Sequence, residues 1–178
     1  MACGIQGWRK ALPNRPCGAP WIRNATGYVL VWMEADLSHP PEAITAMLAK
    51  LAEGADFVIG SRYTRGGGVE DWGLFRRFVS RGGSTFARII LGLAPHDLTG
   101  GFKCFRRAVL EAIDLDSVTS MGYAFQIEMA FRMVRAGFRV TEVPIHFTDR
   151  RVGKSKMDGK VAREALLLVP RLRGRVPR

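Results

Sequence analysis

Residues 28–42 read YVLVWMEADLSHPPE. Residues 28–33 form an unbroken run of apolar, β-favouring side chains, the pattern of a strand covered on both faces. The run ends at two carboxylates, Glu34 and Asp36. Acidic side chains at that point predict the carboxyl edge of a parallel sheet, where open α/β folds bind ligands. In extended backbone, residues two apart point to the same side, so both carboxylates converge on one cation. Their oxygen donors suit a hard divalent ion, Mg²⁺ or Mn²⁺, of the kind that shares its site with substrate phosphates. A solvated acidic turn capping the next helix is the plain alternative on the same spacing.

Working outward, Ser38 is placed to cap a helix, Pro40 and Pro41 suit its first turn, and Glu42 favours its positive end. Ile44, Met47, Leu48 and Leu51 recur at helical spacing up to Gly54. Phe57, Val58 and Ile59 predict a second buried strand closed by Gly60. Strand, helix and strand then make a right-handed crossover unit whose two strands are parallel neighbours. The chain leaves the second strand through Arg62, at the same sheet edge. Gly66, Gly67 and Gly68 follow, as a loop over a ligand or as a flexible connector. Upstream, residues 1–27 are rich in Gly, Pro, Arg and Trp without a clear period and are expected to be irregular.

Residues 72–93 read as a long helix with a basic face carrying Arg76, Arg77, Arg81 and Arg88. Most of these arginines fit a solvated face; at least one is expected to turn toward phosphate, whose oxygens match the guanidinium fork. Asp97 opens a loop with the glycine pair Gly100 and Gly101. Lys103 to Phe105 predict a short strand, in which Cys104 alternates with bulky residues as an inert core thiol. A short helix is expected over 107–113. Residues 123–136 predict a helix carrying Gln126 and Glu128, with Gly137 as its left-handed cap. Residues 138–143 alternate as a half-exposed strand near an edge, ended by Pro144. Arg150, Arg151, Lys154 and Lys156 then surround Gly153 in a basic loop, a solvated segment or a clamp on phosphate. Residues 158–178 are a basic amphipathic tail, suited to lie on an anionic bilayer or to lead into a membrane segment.

Composition bounds these readings. The 178 residues are 47% hydrophobic and 24% charged, which fits a globular domain with a core and excludes a disordered chain. The net charge of +11 calls for an anionic partner: a membrane surface, a phosphorylated substrate or nucleic acid. The basic–aromatic signatures of common nucleic-acid folds are missing, so no nucleic-acid partner is expected. Cys3, Cys17 and Cys104 give neither a zinc pattern nor a disulfide framework and fit a reducing, cytosolic setting. His39, His96 and His146 are scattered through the sequence, so no histidine metal site is expected.

The segments MEADLSHPPE, DFVIGSRY, GGGVEDW with its following Arg pair, DLTGGFKCFRR, GYAFQIEM, AGFRVTEVPIHFTDR and RVGKSKM occur in one order. Together they resemble the polyprenol-phosphate (dolichol-phosphate) mannose synthases of glycosyltransferase family 2. The resemblance runs from about residue 28 to 157, taken as the catalytic domain. It implies an α/β fold of the GT-A, Rossmann-like type, a mostly parallel sheet flanked by helices. It implies metal-assisted, inverting transfer of mannose from GDP-mannose to a polyprenyl phosphate at the cytosolic face of the membrane. A membrane-domain partner, fused or separate, goes with that role.

Carried onto this sequence, the family's metal motif falls on Glu34 and Asp36 with Ser38 beside them. Its phosphate-binding arginines fall on Arg62 and Arg76, and its basic acceptor loop on Arg150, Arg151, Lys154 and Lys156. Asp97, Gln126 and Glu128 are motif residues too; Asp36, Arg62, Arg76 and Asp97 are the expected catalytic set. The sequence departs from the pattern twice. The first carboxylate of the family motif is Asp, and here it is Glu34. The family's opening strand and guanosine-holding loops have no counterpart upstream of Tyr28, so the fold is expected to be N-terminally truncated. An inactive fragment that keeps only lipid-phosphate and membrane binding is the alternative.

Overall fold

The computed structural model describes residues 26–34, 36, 38–118, 120, 122–148 and 159–175, with side chains from 166 to 174 in the last segment. Among the described residues six strands and five α-helices follow in order: β1 Val29–Trp32, α1 Ala43–Ala52, β2 Phe57–Ser61, β3 Gly68–Val69, α2 Leu74–Leu91, β4 Lys103–Arg106, α3 Arg107–Glu111, α4 Gly122–Arg135, β5 Val140–Pro144, β6 His146–Phe147 and α5 Gly159–Arg175. The main sheet has the order β1-β4-β2-β5, and β3 pairs with β6 in a small second sheet. The strands β1, β2 and β5 run the same way, while β4 is antiparallel to both β1 and β2. The expected α/β class is therefore present, but the sheet is mixed rather than mostly parallel: three of its four strands run the same way, and only the β2–β5 pairing is parallel. The expected adjacency of β1 and β2 is absent, because β4 lies between them.

Alternation along the strands sends side chains to two separate cores. Phe57, Ile59 and Phe105 face a cluster with Ala87 and Leu91 of α2, Phe125 and Phe131 of α4, and Val169 and Leu172 of α5. Val58 and Cys104 face the other way, onto Met47 and Leu51 of α1 and Val143 of β5. The sheet is thus covered on both faces, and each fully buried ring or branched chain contributes roughly 1.5–3 kcal/mol. Burial pushes the Cys104 thiol up to about 11, as befits a core residue. Helix α5 covers what sequence alone left as a free tail: Val169 and Leu172 are buried, and Arg173 Nη1 donates to the carbonyl of Ile90.

Several local expectations hold. Gly137 caps α4 at φ 86°, and β5 lies at the sheet edge with Pro144 as its last residue. Others change. Among the described residues strand β1 pairs only with β4 and lies at an edge of the sheet, with Tyr28 and Val31 exposed. Helix α1 begins at Ala43 with Glu42 at the cap position, and Ser38 instead bonds Asp36.

The triple glycine is neither a free connector nor a loose loop. Gly68 opens β3 beside His146, and a Cβ on Gly67 would stand 2.5 Å from the carbonyl oxygen of Ser61. The chain doubles back so closely there that only hydrogen fits. Replacement Gly67→Ala should lower unfolding free energy by about 2 kcal/mol, because backbone must move. Gly82→Ala, in the middle of α2 with nothing within 4 Å, should raise it by about 0.5–1 kcal/mol. Urea melts of the two variants check both signs.

Candidate active site

The carboxyl ends of β1 and β2, with the loops that follow them, converge on one buried polar cluster. Its frame is an ion pair. Arg62 leaves β2 and is met by Asp97, 35 residues further on: Nε donates to Oδ2 at 2.7 Å, Nη2 to Oδ1 at 2.7 Å, and the Arg62 backbone N–H to Oδ2 at 3.0 Å. Nη2 also reaches Thr99 Oγ1 at 2.9 Å, which in turn meets Ser84 Oγ of α2 at 3.2 Å. The Gly100 N–H donates to Asp97 Oδ1, and Glu142 of β5 accepts from the backbone N–H groups of His96 and Asp97. Burial by itself would lower the Arg62 pKa and raise that of Asp97. Their mutual charge and hydrogen bonds override it, so Arg62 is held above its ordinary value and Asp97 below.

Aromatic rings wall this pair. The Arg62 guanidinium carbon lies 5.1 Å from the Tyr63 ring centre, 5.4 Å from Trp72 and 5.6 Å from Phe147. Arg76, one turn into α2, stacks on Trp72 at 3.9 Å. Trp72 therefore lies against two guanidiniums, a cation–π arrangement. Its indole Nε1 is buried and finds no hydrogen-bond acceptor among the described residues. A buried indole donor ordinarily has a partner, so this one suits a bound acceptor such as a phosphate oxygen. Asp71, just before it, takes the left-handed region at φ 55°, which Asp tolerates better than most residues.

The acidic segment flanks the same cluster. Strand β1 stops at Trp32, so Glu34 and Asp36 lie beyond the extended backbone, and the same-side argument from strand geometry does not apply to them. Other contacts orient them. The Asp36 Oδ1 atom accepts from both the backbone N–H and the hydroxyl of Ser38, which sets the plane of that carboxylate. The Glu34 carboxylate packs beside Gly101, where a Cβ would come 3.3 Å from its Oε1. The Glu34 N–H donates to Nδ1 of His39 at 3.1 Å. His39 is itself buried, stacked on Phe102 at 5.1 Å and edge-on to Phe147 at 5.3 Å. Burial lowers its pKa to about 4, with Arg62 acting in the same direction and the charges of Asp36 and Asp97 opposing. His39 ties the two halves of the site together by contact, since it accepts from the Glu34 N–H and stands edge-on to Phe147, the ring that also packs on the Arg62 guanidinium.

Lys103, the first residue of β4, completes the cluster from below. Its ammonium is fully buried and donates to the carbonyl of Gly100 at 2.6 Å and to Oε1 of Gln126. Burial brings its pKa down to about 7, against the raising pull of Asp97 and Glu34.

Of the expected site residues, the structure gathers Glu34, Asp36, Ser38, Arg62, Arg76, Asp97 and Gln126 around this edge. Glu128 lies apart from that network: its carboxylate accepts from Ser120 and from Arg132 Nε and Nη2, the latter at 2.7 Å, and ties Ser120 to α4. Arg150, Arg151, Lys154 and Lys156 fall outside the described residues. Four contributors were not singled out by sequence: His39, Trp72, Thr99 and Lys103. His39 lies inside the acidic motif, and the one signal for Lys103 was a charge heading a strand of otherwise core residues.

Two outcomes follow from this electrostatic frame. Asp97→Asn leaves a buried guanidinium without its counter-charge and should cost about 3–5 kcal/mol of stability. Arg62→Met with Asp97→Leu should cost less than the single change, measured by the same urea melts. His39 is held neutral in the fold, while the unfolded chain takes up its proton near 6.5. Stability should therefore fall as pH drops from about 6.5 toward about 4, by on the order of 3 kcal/mol, and His39→Phe should flatten that slope. A slope unchanged in the variant would assign it to other groups.

With this geometry in place, relatives give it a context. The family model for glycosyl transferase family 2 matches residues 21–114. The polyprenol monophosphomannose synthase of Mycolicibacterium smegmatis is 48% identical over 155 residues, 85% of this chain and 58% of that protein. The undecaprenyl-phosphate mannosyltransferase of Micrococcus luteus is 47% identical over 146 residues, 82% of this chain and 60% of that one. The chain thus spans less than two thirds of the length of both relatives. Among solved structures, glucosyl-3-phosphoglycerate synthase from Mycobacterium tuberculosis with phosphoglyceric acid superposes with a TM-score of 0.63 at 19% identity, covering 94% of this chain and 58% of its own. The same enzyme with Mn²⁺ and UDP-glucose gives 0.61, also at 19% identity, covering 94% of this chain and 57% of its own. At that identity the shared property is the fold, the GT-A α/β arrangement. The model match extends over more than half of the sequence, and relatives at nearly half identity run through most of it: this chain belongs to glycosyl transferase family 2.

Proposed function

We propose that the chain is the greater part of a mannosyltransferase that moves mannose from GDP-mannose to a polyprenyl phosphate at the cytosolic face of a membrane. The observation that carries this reading is the meeting of opposite charges at one sheet edge: His39, bonded to the Glu34 N–H, stands against Phe147, which packs on Arg62, and Arg76 lies one Trp ring away from Arg62. An acidic edge facing a cationic one suits a substrate whose phosphates need a cation on one side and guanidinium on the other. The names of the two relatives at 48% and 47% identity support mannose as the sugar and a polyprenyl phosphate as the acceptor.

The chemistry makes modest demands on the protein. An oxygen of the lipid phosphate, already anionic, attacks the anomeric carbon from the face opposite the diphosphate. The bond from that carbon to the diphosphate oxygen breaks, its electron pair leaves with GDP, and the configuration inverts. No proton has to be removed from the nucleophile, so catalysis reduces to positioning and charge neutralisation. Arg76 and the Trp72 indole N–H would meet the acceptor phosphate. Arg62 is spent on Asp97 and Thr99. It would act through its field and by fixing the wall against which Trp72 and Arg76 stack.

The oxygen donors of Glu34 and Asp36, with Ser38 fixing the latter, fit Mg²⁺ or Mn²⁺. Such an ion supplies positive charge to the departing diphosphate. On the family resemblance Arg150, Arg151, Lys154 and Lys156, which lie outside the described residues, would supply charge to the acceptor phosphate, and Gln126, held by Lys103, would border the sugar.

Transfer of radiolabelled mannose from GDP-mannose to a polyprenyl phosphate in detergent tests this. Asp36→Ala should lower the rate at least about a hundredfold, and Arg76→Ala by a similar factor. Arg139→Ala, at an exposed position of the 137–140 turn, should leave it unchanged. Equal rates in Asp36→Ala and the parent chain would exclude a role for the acidic edge.

A further inference from the structure

Lys103 heads β4, and alternation puts its side chain on the same side as Phe105, toward α4. It is 2% exposed. A charge that deep costs free energy that an apolar side chain of the same volume would not, so packing alone does not account for a lysine there. Its ammonium donates to two neutral oxygens, the Gly100 carbonyl and Oε1 of Gln126. The Gly100 N–H in turn donates to Asp97 Oδ1. Lys103 thereby extends the Arg62–Asp97 frame from the loop before β4 to the second turn of α4.

The bond to Gln126 decides which way that amide faces. An ammonium has donors and no acceptor, so the atom it meets is the amide oxygen. The Nε2 group is then turned away from Lys103, and no acceptor meets it among the described residues. Lys103 is enclosed, whereas Gln126 is half-buried. Together they present outward a donor-only group, polarised by the cation behind it. A hydroxyl both donates and accepts, so such a group uses half of what it offers. A phosphate oxygen only accepts, and its negative charge also gains from the ammonium.

We propose that Lys103 and Gln126 act as one unit that binds an anionic phosphate oxygen. Gln126 donates the hydrogen bond. Lys103 does not touch the ligand; it is the positioning residue that fixes and polarises the amide. This deepens the mannosyl-transfer reading and rests on it for its two ligands, the donor diphosphate and the lipid phosphate. It adds a neutral donor from α4 to the arginines already placed at the site. The Glu34 carboxylate packs beside Gly101, next to the Gly100 carbonyl that Lys103 holds, so this donor belongs to the same sheet edge as the acidic segment.

Calorimetric titrations of the 178-residue chain decide it with two probes. Pyrophosphate with Mg²⁺ stands for the donor diphosphate, and geranyl phosphate without metal for the lipid acceptor. The parent chain should bind at least one of them. Gln126→Glu separates a binding role from a structural one. The carboxylate keeps the size of the amide and its contact with Lys103, and it gives the buried ammonium a counter-charge, so the urea midpoint should hold or rise. It has no N–H to donate and repels an anion, so affinity should fall about tenfold or more. Lys103→Met fills the same space and leaves the amide present but unheld, and should weaken binding by about fivefold. Added to Gln126→Ala, it should cause no further loss, because the two residues act as a unit.

Loss with pyrophosphate alone assigns the unit to the donor, and loss with geranyl phosphate alone assigns it to the acceptor. Unchanged affinity for both probes in Gln126→Glu would overturn the proposal and leave the pair as a structural tie. A lowered urea midpoint in Gln126→Glu would overturn it too, as would a parent chain that binds neither probe. The transfer assay stands apart: a parent that binds a probe through Gln126 yet transfers no mannose would strike the mannosyl-transfer reading and leave the phosphate site in place.

Discussion

The Arg62–Asp97 pair is the interaction on which the site depends. It joins the exit of β2 to the loop before β4 through three hydrogen bonds, and extends through Thr99 to α2 and through the Asp97 N–H to β5. Four elements are thereby fixed around one buried charge pair. A pair this deep gains little net stability over an apolar substitute, since desolvation offsets most of the attraction. What it provides is geometry. Arg62 cannot leave without exposing Asp97, so the Tyr63, Trp72 and Phe147 rings have a fixed cation to pack around. Arg76 finds its place on the far side of the Trp72 ring.

Around that frame Arg76 stands on α2, Glu34 and Asp36 in the segment after β1, and Lys103 on β4. His39 accepts from the Glu34 N–H and is uncharged because it is buried and because Arg62 opposes its protonation. Lys103 plugs the base of the site with an amine that burial has brought near neutrality. A site built in this way is suited to hold a polyanion between two kinds of positive partner with little water to screen them. On α2, Ser80 and Ser84 complete the internal network beside Ala87 and Leu91, while Leu74, Phe75, Phe78 and Ile89 face outward.

Much of the fold was legible because it is written in local pattern. The apolar run at 28–33, the helical spacing of Met47 and Leu51, the Gly137 cap and the Pro144 strand end all correspond to observed elements. The insertion of β4 between β1 and β2 was not legible, since strand order is set by contacts distant in sequence and leaves no mark on periodicity. The same limit hid the partnership of Arg62 and Asp97, although each residue was singled out alone. Helix α2 shows a further limit. Its apolar residues outnumber one face, so periodicity identifies a helix without saying which side is inward. Only Ser80 and Ser84 meeting Tyr63 and Thr99 decide it. Glu34 and Asp36 lie at the edge the sequence assigned them to, but the strand geometry invoked for them ends two residues too early at Trp32.

The central claim is that acids and arginines at this edge share one phosphate-bearing ligand. Calorimetric titration of Mn²⁺ into the protein, with and without GDP, tests it most directly. The account predicts one Mn²⁺ site whose affinity rises at least about tenfold when GDP is present, with that enhancement lost in Asp36→Asn. Mn²⁺ binding indifferent to GDP, or unaffected by Asp36→Asn, would contradict it.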